Sequence, residues 1–422
     1  MTNNEFLDLE YGLHVKTHNY IKDYFVKPRY FCLPKNIIIK KICILFYYKF
    51  YRKIQLLISI LIKSKIIFSN PQKNKNIIFD ETLMYIFYYL FKKKDFYLLK
   101  TRTNQIEEIY FTKKIVFFII KNFFKNSIKI NYLIALIKII KPNNVITLVD
   151  NSLDFSIIAK YFKNSDIKFH AIQNAHRYEN SKKLWKKRYI SNYYTFSKFE
   201  SKILKNKKNI KKLLPIGSLR AECAKKFFEK KPFKKNVYDL CLIAEPDFFL
   251  NHVDLNVKNI DLNLALVAKY CLKFSKKFKK KIIITGKSSL HSFEEEVERA
   301  YYKYHLSGEN FTIDFHDKKK FGSYKNILQS KVVIGCTSSL IREAFAFNKK
   351  VLWCQFINGT KFPTNGICVL RSKNYSDFEK RLKQILSINY KEFLNKINNP
   401  EIIYEKKKNT FNFIKNELKR NT

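Results

Sequence analysis

Between Asn144 and Leu370 short apolar runs alternate with stretches of helical spacing. A chain built this way has few options besides a parallel sheet with helices on both faces. The clearest unit lies between Lys331 and Gln355. Lys331-Val-Val-Ile-Gly335 reads as a buried strand stopped at a turn, and Cys336-Thr-Ser-Ser339 supplies small hydroxyl residues there. Ser338 or Ser339 can cap the helix carried by Leu340 to Phe347, with Glu343 in its first turn. Asn348 suits a left-handed helix end, and Val351-Leu-Trp353 returns as a strand. The loop of such a unit presents backbone N–H groups at a positive helix end, which suits an anion and above all a phosphate.

The same alternation fills the rest of this stretch. Strands are expected at 145–150, 167–172, 193–197 and 213–217, with helices from Ser152 to about Phe162 and from Lys198 to Lys205. A second series has strands at 238–244, 281–286, 311–315 and 366–370, and helices at 259–278, 293–304 and 324–329. The first 140 residues are less legible: a strand at 76–80 leading into a helix over 81–93, a strand at 106–111, and helical spacing over 114–139. At 422 residues two domains are the default. The expected architecture is α/β, two Rossmann-like domains facing across a cleft. One spans 1–226 and the other 238–395, with a charged linker at 227–237 around Pro232 and a basic helix at 396–422 packing back on the first domain.

The net charge of +47, from 82 Lys and Arg against 35 Asp and Glu, attracts polyanions and anionic lipid. It makes a nucleic-acid-binding protein the rival class. Against that reading, the lysines are spread through every segment and no RRM, KH, helix-turn-helix or zinc pattern appears. Lys and Arg interrupt the run from Ile37 to Ile62, so it reads either as a core helix or as a basic helix resting on an anionic membrane face. The N-terminus carries no signal-peptide pattern, and the expected location is the cytoplasm, peripheral on the inner membrane face. Eight cysteines without paired spacing read as buried free thiols rather than disulfides or zinc ligands.

Gly217, Gly286 and Gly335 each end an apolar run beside or near Ser218, Ser288 and Ser338, where ligands of open α/β sheets bind. No Walker loop or GxGxxG is present, so nucleotide hydrolysis and dinucleotide binding have no support. Two facing domains with a phosphate-friendly helix end point to group transfer from a nucleotide-linked donor. His176 follows a strand end, and its ordinary pKa suits a general base acting on an acceptor hydroxyl. Asp150 and Asp154 are its rivals, Asp154 serving equally as a helix N-terminal acid. Gln173, Asn174 and Arg177 border the acceptor side. Arg220 and Lys287 lie past strand ends, where they could neutralise phosphate, and Thr337, Ser338 and Ser339 could donate to a diphosphate or simply cap a helix. Glu245 and Asp247 would face the hinge, and His316 a nucleotide base. Without DxD or HExxH no metal is expected, and no cofactor is indicated.

The block from Val149 to Arg220 resembles the bacterial surface carbohydrate biosynthesis proteins, glycosyltransferases of the two-domain GT-B type. Asp150 with the Phe155-Ser-Ile-Ile158 helix carries the resemblance, with Ala171-Ile-Gln-Asn-Ala-His-Arg177, Phe196-Ser197 and Pro215-Ile-Gly-Ser-Leu-Arg220. The Lys331 unit is similar to the sugar-nucleotide loop of GT-B transferases and poly-glycerophosphate transferases, in which a Ser pair precedes a helix bearing an acid. The resemblance extends over residues 145–370 and departs at Ala175, where Gly is the expected residue. It implies metal-independent transfer from a nucleotide-sugar held mainly by the second domain to a glycan or lipid-linked acceptor held by the first, with Glu343 accepting ribose hydroxyls. A sugar-nucleotide epimerase or polyol-phosphate transferase is the alternative on the same architecture.

Overall fold

The computed structural model describes residues 62–102, 106–175, 188–205, 209–231, 233–234, 236–245, 255–317, 320–356, 364–399 and 410–420. Two compact units divide the chain: residues 1–66 with 106–109, and residues 67–105 with 110–422. The larger unit carries both large sheets. A separate two-stranded ribbon pairs β1 (Lys65–Ile67) with β4 (Glu108–Tyr110).

The first lobe is a parallel sheet of β2 (Asn76–Phe79), β3 (Tyr97–Leu99), β5 (Asn144–Thr147), β6 (Lys168–Ile172), β7 (Ile190–Thr195) and β8 (Ile210–Pro215), in the order β3-β2-β5-β6-β7-β8. Successive strand residues point to opposite faces, and the apolar contacts divide by that parity. Ile77, Phe79, Val145, Phe169 and Tyr193 pack on one face against α2 (Lys113–Lys121), α3 (Ile128–Ile140) and α4 (Leu153–Tyr161). Ile78, Ile146 and Tyr194 pack on the other, against α1 (Met84–Phe87) and a helix from the chain's far end described below. The helix expected over 81–93 shrinks to α1 because Asp80 and Leu83 both take left-handed backbone, φ 80° and 62°, which interrupts helical propagation. Ser127 caps α3 and divides the helical spacing of 114–139 into two helices.

After α5 (Lys198–Leu204) and α6 (Leu219–Glu229), which runs past the expected linker start at 227, the second lobe begins. Its strands are β9 (Tyr238–Ile243), β10 (Ile282–Ser289), β11 (Ile313–His316), β12 (Ser330–Gly335), β13 (Lys350–Cys354) and β14 (Val369–Leu370). All pair in parallel in the order β11-β10-β9-β12-β13-β14. Relative to the chain this is 3-2-1-4-5-6, the doubly wound order of the Rossmann fold. Around it lie α7 (Leu255–Phe278), α8 (Phe293–His305), α9 (Gly322–Leu328), α10 (Ser339–Ala344), α11 (Tyr375–Ser387) and α12 (Tyr390–Asn395). Leu240, Leu242, Ile284, Val332, Ile334 and Trp353 fill the core of this lobe.

The chain then returns. α13 (Thr410–Lys419) lays Phe411, Ile414 and Leu418 onto the Ile78–Ile146–Tyr194 face of the first sheet. Polar contacts fix both its ends: Thr410 Oγ1 donates to the Ile216 carbonyl, Asn144 Nδ2 to the Leu418 carbonyl, and Lys212 pairs with Glu417 at 2.6 Å. Phe321, Tyr324 and Ala346 of the second lobe join the same cluster, so the two lobes share one apolar contact.

Candidate functional site

Strand order reverses in the second lobe between β9 and β12, and the carboxyl ends of that pair mark the crevice where open sheets bind ligands. The unit read at Lys331–Gln355 stands there. β12 ends at Gly335, and Ser338 caps α10 with its Oγ accepting the Leu340 N–H at 3.3 Å. Asn348 closes the following 3-10 turn at φ 56°. Thr337 Oγ1 donates to Glu245 Oε2 at 3.2 Å, which ties the loop after β12 to the loop after β9. Thr337 and Ser339 are half-buried, while Ser338 is buried. With the cap at Ser338, Glu343 falls in the second turn of α10 rather than the first, so it is no partner for the N-terminal dipole.

Glu343 instead joins the lobes. It is fully buried, and its two carboxylate oxygens accept the Ser218 and Tyr324 hydroxyls at 2.6 Å each. Ser218 is also the cap of α6, accepting the Ala221 N–H at 3.2 Å, and the preceding Gly217 turns the chain at φ 86°. Arg220 completes the cluster, its guanidinium 5.9 Å from the Tyr324 ring centre. Burial alone would push the Arg220 guanidinium down, but Tyr324, Glu343 and Tyr85 hold it above its ordinary value. Burial, with Glu343 beside it, likewise raises the Tyr324 phenol well above its usual range. A ribose hydroxyl reaching Glu343 would therefore have to displace Ser218 or Tyr324, and the Arg220 charge is met within the protein.

The preceding residue makes a second junction. Arg342 is fully buried against the Glu200 carboxylate of α5, and Ser197, the cap of α5, donates to Glu200 Oε2 at 2.5 Å. α10 thus meets α5 through Arg342 and α6 through Glu343. Both first-lobe helices follow strands directly, so the carboxyl edges of the two sheets face one another across α10.

On the first lobe the named candidates separate. Asp150, buried just past β5, accepts the Tyr193 hydroxyl at 2.7 Å, and Arg188 donates to its carbonyl. Asp154 lies in the first turn of α4 in a partly exposed ion pair with Lys129 at 2.7 Å. Gln173 braces two strand ends, donating to the Ala175 carbonyl and accepting the Phe196 N–H, both at 2.9 Å. Asn174 follows it, half-buried. His176, Arg177 and Asp247 lie outside the described residues, as do most of 37–62 and the cysteines Cys32 and Cys43. The other six cysteines are free and buried.

The Gly286-Lys287-Ser288 expectation is corrected. Gly286 does not end a strand: β10 continues through Ser289. A Cβ at Gly286 would stand 2.5 Å from the Phe315 ring, so the glycine serves packing between β10 and β11. The Lys287 and Ser288 N–H groups and the Ser288 hydroxyl all donate to the Glu298 carboxylate, at 2.7 to 3.2 Å. An acid of the chain already occupies the cradle read as a phosphate site. His316 ends β11 at the sheet edge with Nε2 2.5 Å from Ser323 Oγ.

Sequence reasoning passed over Asp80, at the carboxyl end of β2, where the first sheet reverses its order between β2 and β5. Its carboxylate accepts Thr82 N–H and Oγ1, Thr101 Oγ1 and Arg102 Nε at 2.6 to 3.1 Å. Burial pushes this carboxyl up, but the Thr82 and Arg102 bonds outweigh it and hold it below its ordinary value. An acid following Ile77-Ile-Phe79 was the available signal. Among the described residues no His, Cys, Asp and Glu cluster is arranged to hold a metal ion, and no helix is long and apolar enough to cross a membrane.

No family model and no curated protein matches this chain. Solved structures do. The S. aureus MnaA–UDP co-structure superposes with a TM-score of 0.50 at 13% identity, covering 82% of this chain and 96% of that one. UDP-GlcNAc 2-epimerase from Neisseria meningitidis bound to UDP-GlcNAc gives 0.49 at 15% identity, over 82% and 99%. The wall teichoic acid polymerase TagF gives 0.43 at 11% identity, over 90% and 96%. With the two doubly wound sheets and the returning C-terminal helix, the S. aureus likeness shows the architecture: an α/β chain of two Rossmann-like lobes, GT-B-like.

Proposed function

We propose that this protein is a glycosyltransferase of surface-polysaccharide assembly, moving a sugar from a nucleotide-sugar donor to a glycan or lipid-linked acceptor. One observation carries the reading: both sheets bring their carboxyl edges to α10, so the two ligand-binding edges of a GT-B-like pair converge on one place. The amides and hydroxyls of Thr337, Ser338 and Ser339 are the donor's diphosphate site in this reading, beside Glu245. The first lobe supplies the acceptor side. There His176 is the candidate base, because the Asp150 carboxylate already holds the Tyr193 hydroxyl and Asp154 is spent on Lys129. Catalysis then rests on positioning two substrates between lobes and on neutralising the leaving diphosphate.

A panel of UDP-, CDP-, GDP-, ADP- and dTDP-sugars, screened by thermal unfolding, tests it. A true donor at a hundredfold excess over its Kd is expected to add about 2.7 kcal/mol of stability. Product analysis then separates the classes. Free nucleotide with the sugar on an acceptor supports transfer, whereas an inverted sugar still joined to its nucleotide replaces transfer with epimerisation. A panel in which no nucleotide-sugar raises the melting temperature removes the donor site altogether.

A further inference from the structure

Among the described residues, the first lobe displays an exposed apolar face on α2, the turn after it and α4. On α2 and the turn after it, Phe117, Ile120, Phe123 and Phe124 are 68%, 68%, 52% and 98% exposed. Phe117, Ile120 and Phe124 recur at helical spacing, with the exposed Lys113 and Lys121 in the same stripe. On α4, Leu153, Ile157 and Tyr161 repeat every fourth residue and are 56%, 44% and 42% exposed. The half-buried Phe118, on the flank of α2, links that helix to the α4 row. Phe118 and Tyr161 meet edge to face at 6.3 Å, and Lys138 of α3 stands over both rings at 4.8 and 5.1 Å.

The charge around this face is mostly positive, the acid of α4, Asp154, being paired with Lys129. From residue 109 through 149 the chain carries seven lysines (113, 114, 121, 125, 129, 138 and 141) and no Asp or Glu. A groove of about 370 Å³ opens beside Phe118, lined in part by Lys73, Lys114, Lys138 and Lys141 and by no acid. Aromatic and aliphatic side chains projecting from a helix ringed with lysines are the features of an interfacial helix: the rings enter the acyl boundary and the ammonium groups meet lipid phosphate. A soluble acidic partner would satisfy the lysines but leave a ring such as Phe124, nearly bare, without an apolar medium.

We infer that the face formed by α2, the α2–α3 turn and α4 docks on an anionic lipid bilayer, with Phe117, Ile120 and Phe124 inserted and the Lys-lined groove holding a lipid headgroup phosphate. This rests on the surface and not on the proposed reaction, so either can fail alone.

Because a chain of net charge +47 adsorbs to any anionic vesicle, the test must locate the contact. The full chain carrying Phe124→Trp, or separately Leu153→Trp, is mixed with vesicles of phosphatidylcholine containing one-third phosphatidylglycerol, with and without brominated acyl chains. The expected result is a blue shift and quenching by brominated lipid at both positions, with binding at least tenfold weaker to phosphatidylcholine alone. Phe117→Ser with Phe124→Ser is expected to weaken binding about tenfold at unchanged melting temperature. Vesicle binding with neither tryptophan quenched overturns the inference, since adsorption is then elsewhere. So does undiminished affinity of the double variant. A wild-type chain that is dimeric in solution and becomes monomeric on the double substitution would make the face a contact between copies, and overturns it too.

Discussion

Arg342→Met, made alone, is expected to cost about 3–5 kcal/mol, the range for removing one partner of a buried ion pair. Arg342 is wholly buried and Glu200 almost so, and their contact crosses from α10 to α5. Without the guanidinium, Glu200 keeps the hydrogen bond from Ser197 and loses the counter-charge it is buried against. Pairing the substitution with Glu200→Leu removes the stranded charge, so the double variant should recover most of the loss, apolar replacement of a buried pair being close to neutral. Urea titration of the wild type, both single variants and the double variant gives the coupling directly. Additive losses would mean the pair does not hold the lobes. The neighbouring Glu343 network lies on the same helix, so Arg342→Met should also lower nucleotide-sugar stabilisation by misplacing Ser338, although neither Arg342 nor Glu200 belongs to the donor loop.

These two junctions show where sequence reading stopped. The β12–α10–β13 unit was legible to its caps: a β run ending in Gly335, the Ser338 cap and the left-handed Asn348 are local chemistry, decided within a few residues. The adjacent Arg342 and Glu343 were not legible as a buried pair of contacts, because helical spacing reveals which residues share a face but not that another lobe covers it. Gly286 misled for a related reason. An apolar run meeting Gly looks like a strand end, yet here Gly marks the close approach of Phe315 and the strand continues. β3, three residues long, is too short to show a period of two, and Asp80 with Leu83 breaks a helix at non-glycine positions that composition does not flag. The sheet order was open as well: alternation implies parallel pairing, but the reversal points between β9 and β12 and between β2 and β5 are set by packing of whole helices.

Acidification from pH 6.5 to about 3 is expected to remove roughly 5 kcal/mol of stability through one residue, His170. It lies fully buried on β6, where burial first, then Lys168 and Lys212, lowers its pKa from the ordinary 6.5 to about 3. The bonding explains why a proton has no place. Asn144 Nδ2 donates to Asn76 and to the Leu418 carbonyl, so Asn144 Oδ1 is left to accept His170 Nε2–H at 3.0 Å. Nδ1 then accepts from the Tyr194 hydroxyl at 3.0 Å and Asn192 Nδ2 at 3.3 Å, and a proton there would face the Asn192 donor and turn the Tyr194 hydroxyl from donor to acceptor. The unfolded chain binds this proton near pH 6.5 and the folded chain only near 3. The stabilising contribution is therefore complete above 6.5 and drains as pH falls toward 3. Asp80 acts later: its lowered carboxyl contributes above the ordinary value near 3.8 and loses that contribution only as pH drops through its lower folded value. Comparing urea stability of the wild type and His170→Gln at pH 7, 5.5 and 4.5 isolates the histidine, since the wild type should lose about one proton's slope per pH unit more than the variant. Parallel curves would place the acid sensitivity elsewhere. The consequence reaches the far end of the chain, because the Asn144 side chain that receives His170 also holds the last turn of α13. Charging the imidazole should loosen that helix from the Ile78–Ile146–Tyr194 face before the second lobe is affected, and amide exchange over 410–420 would record it first.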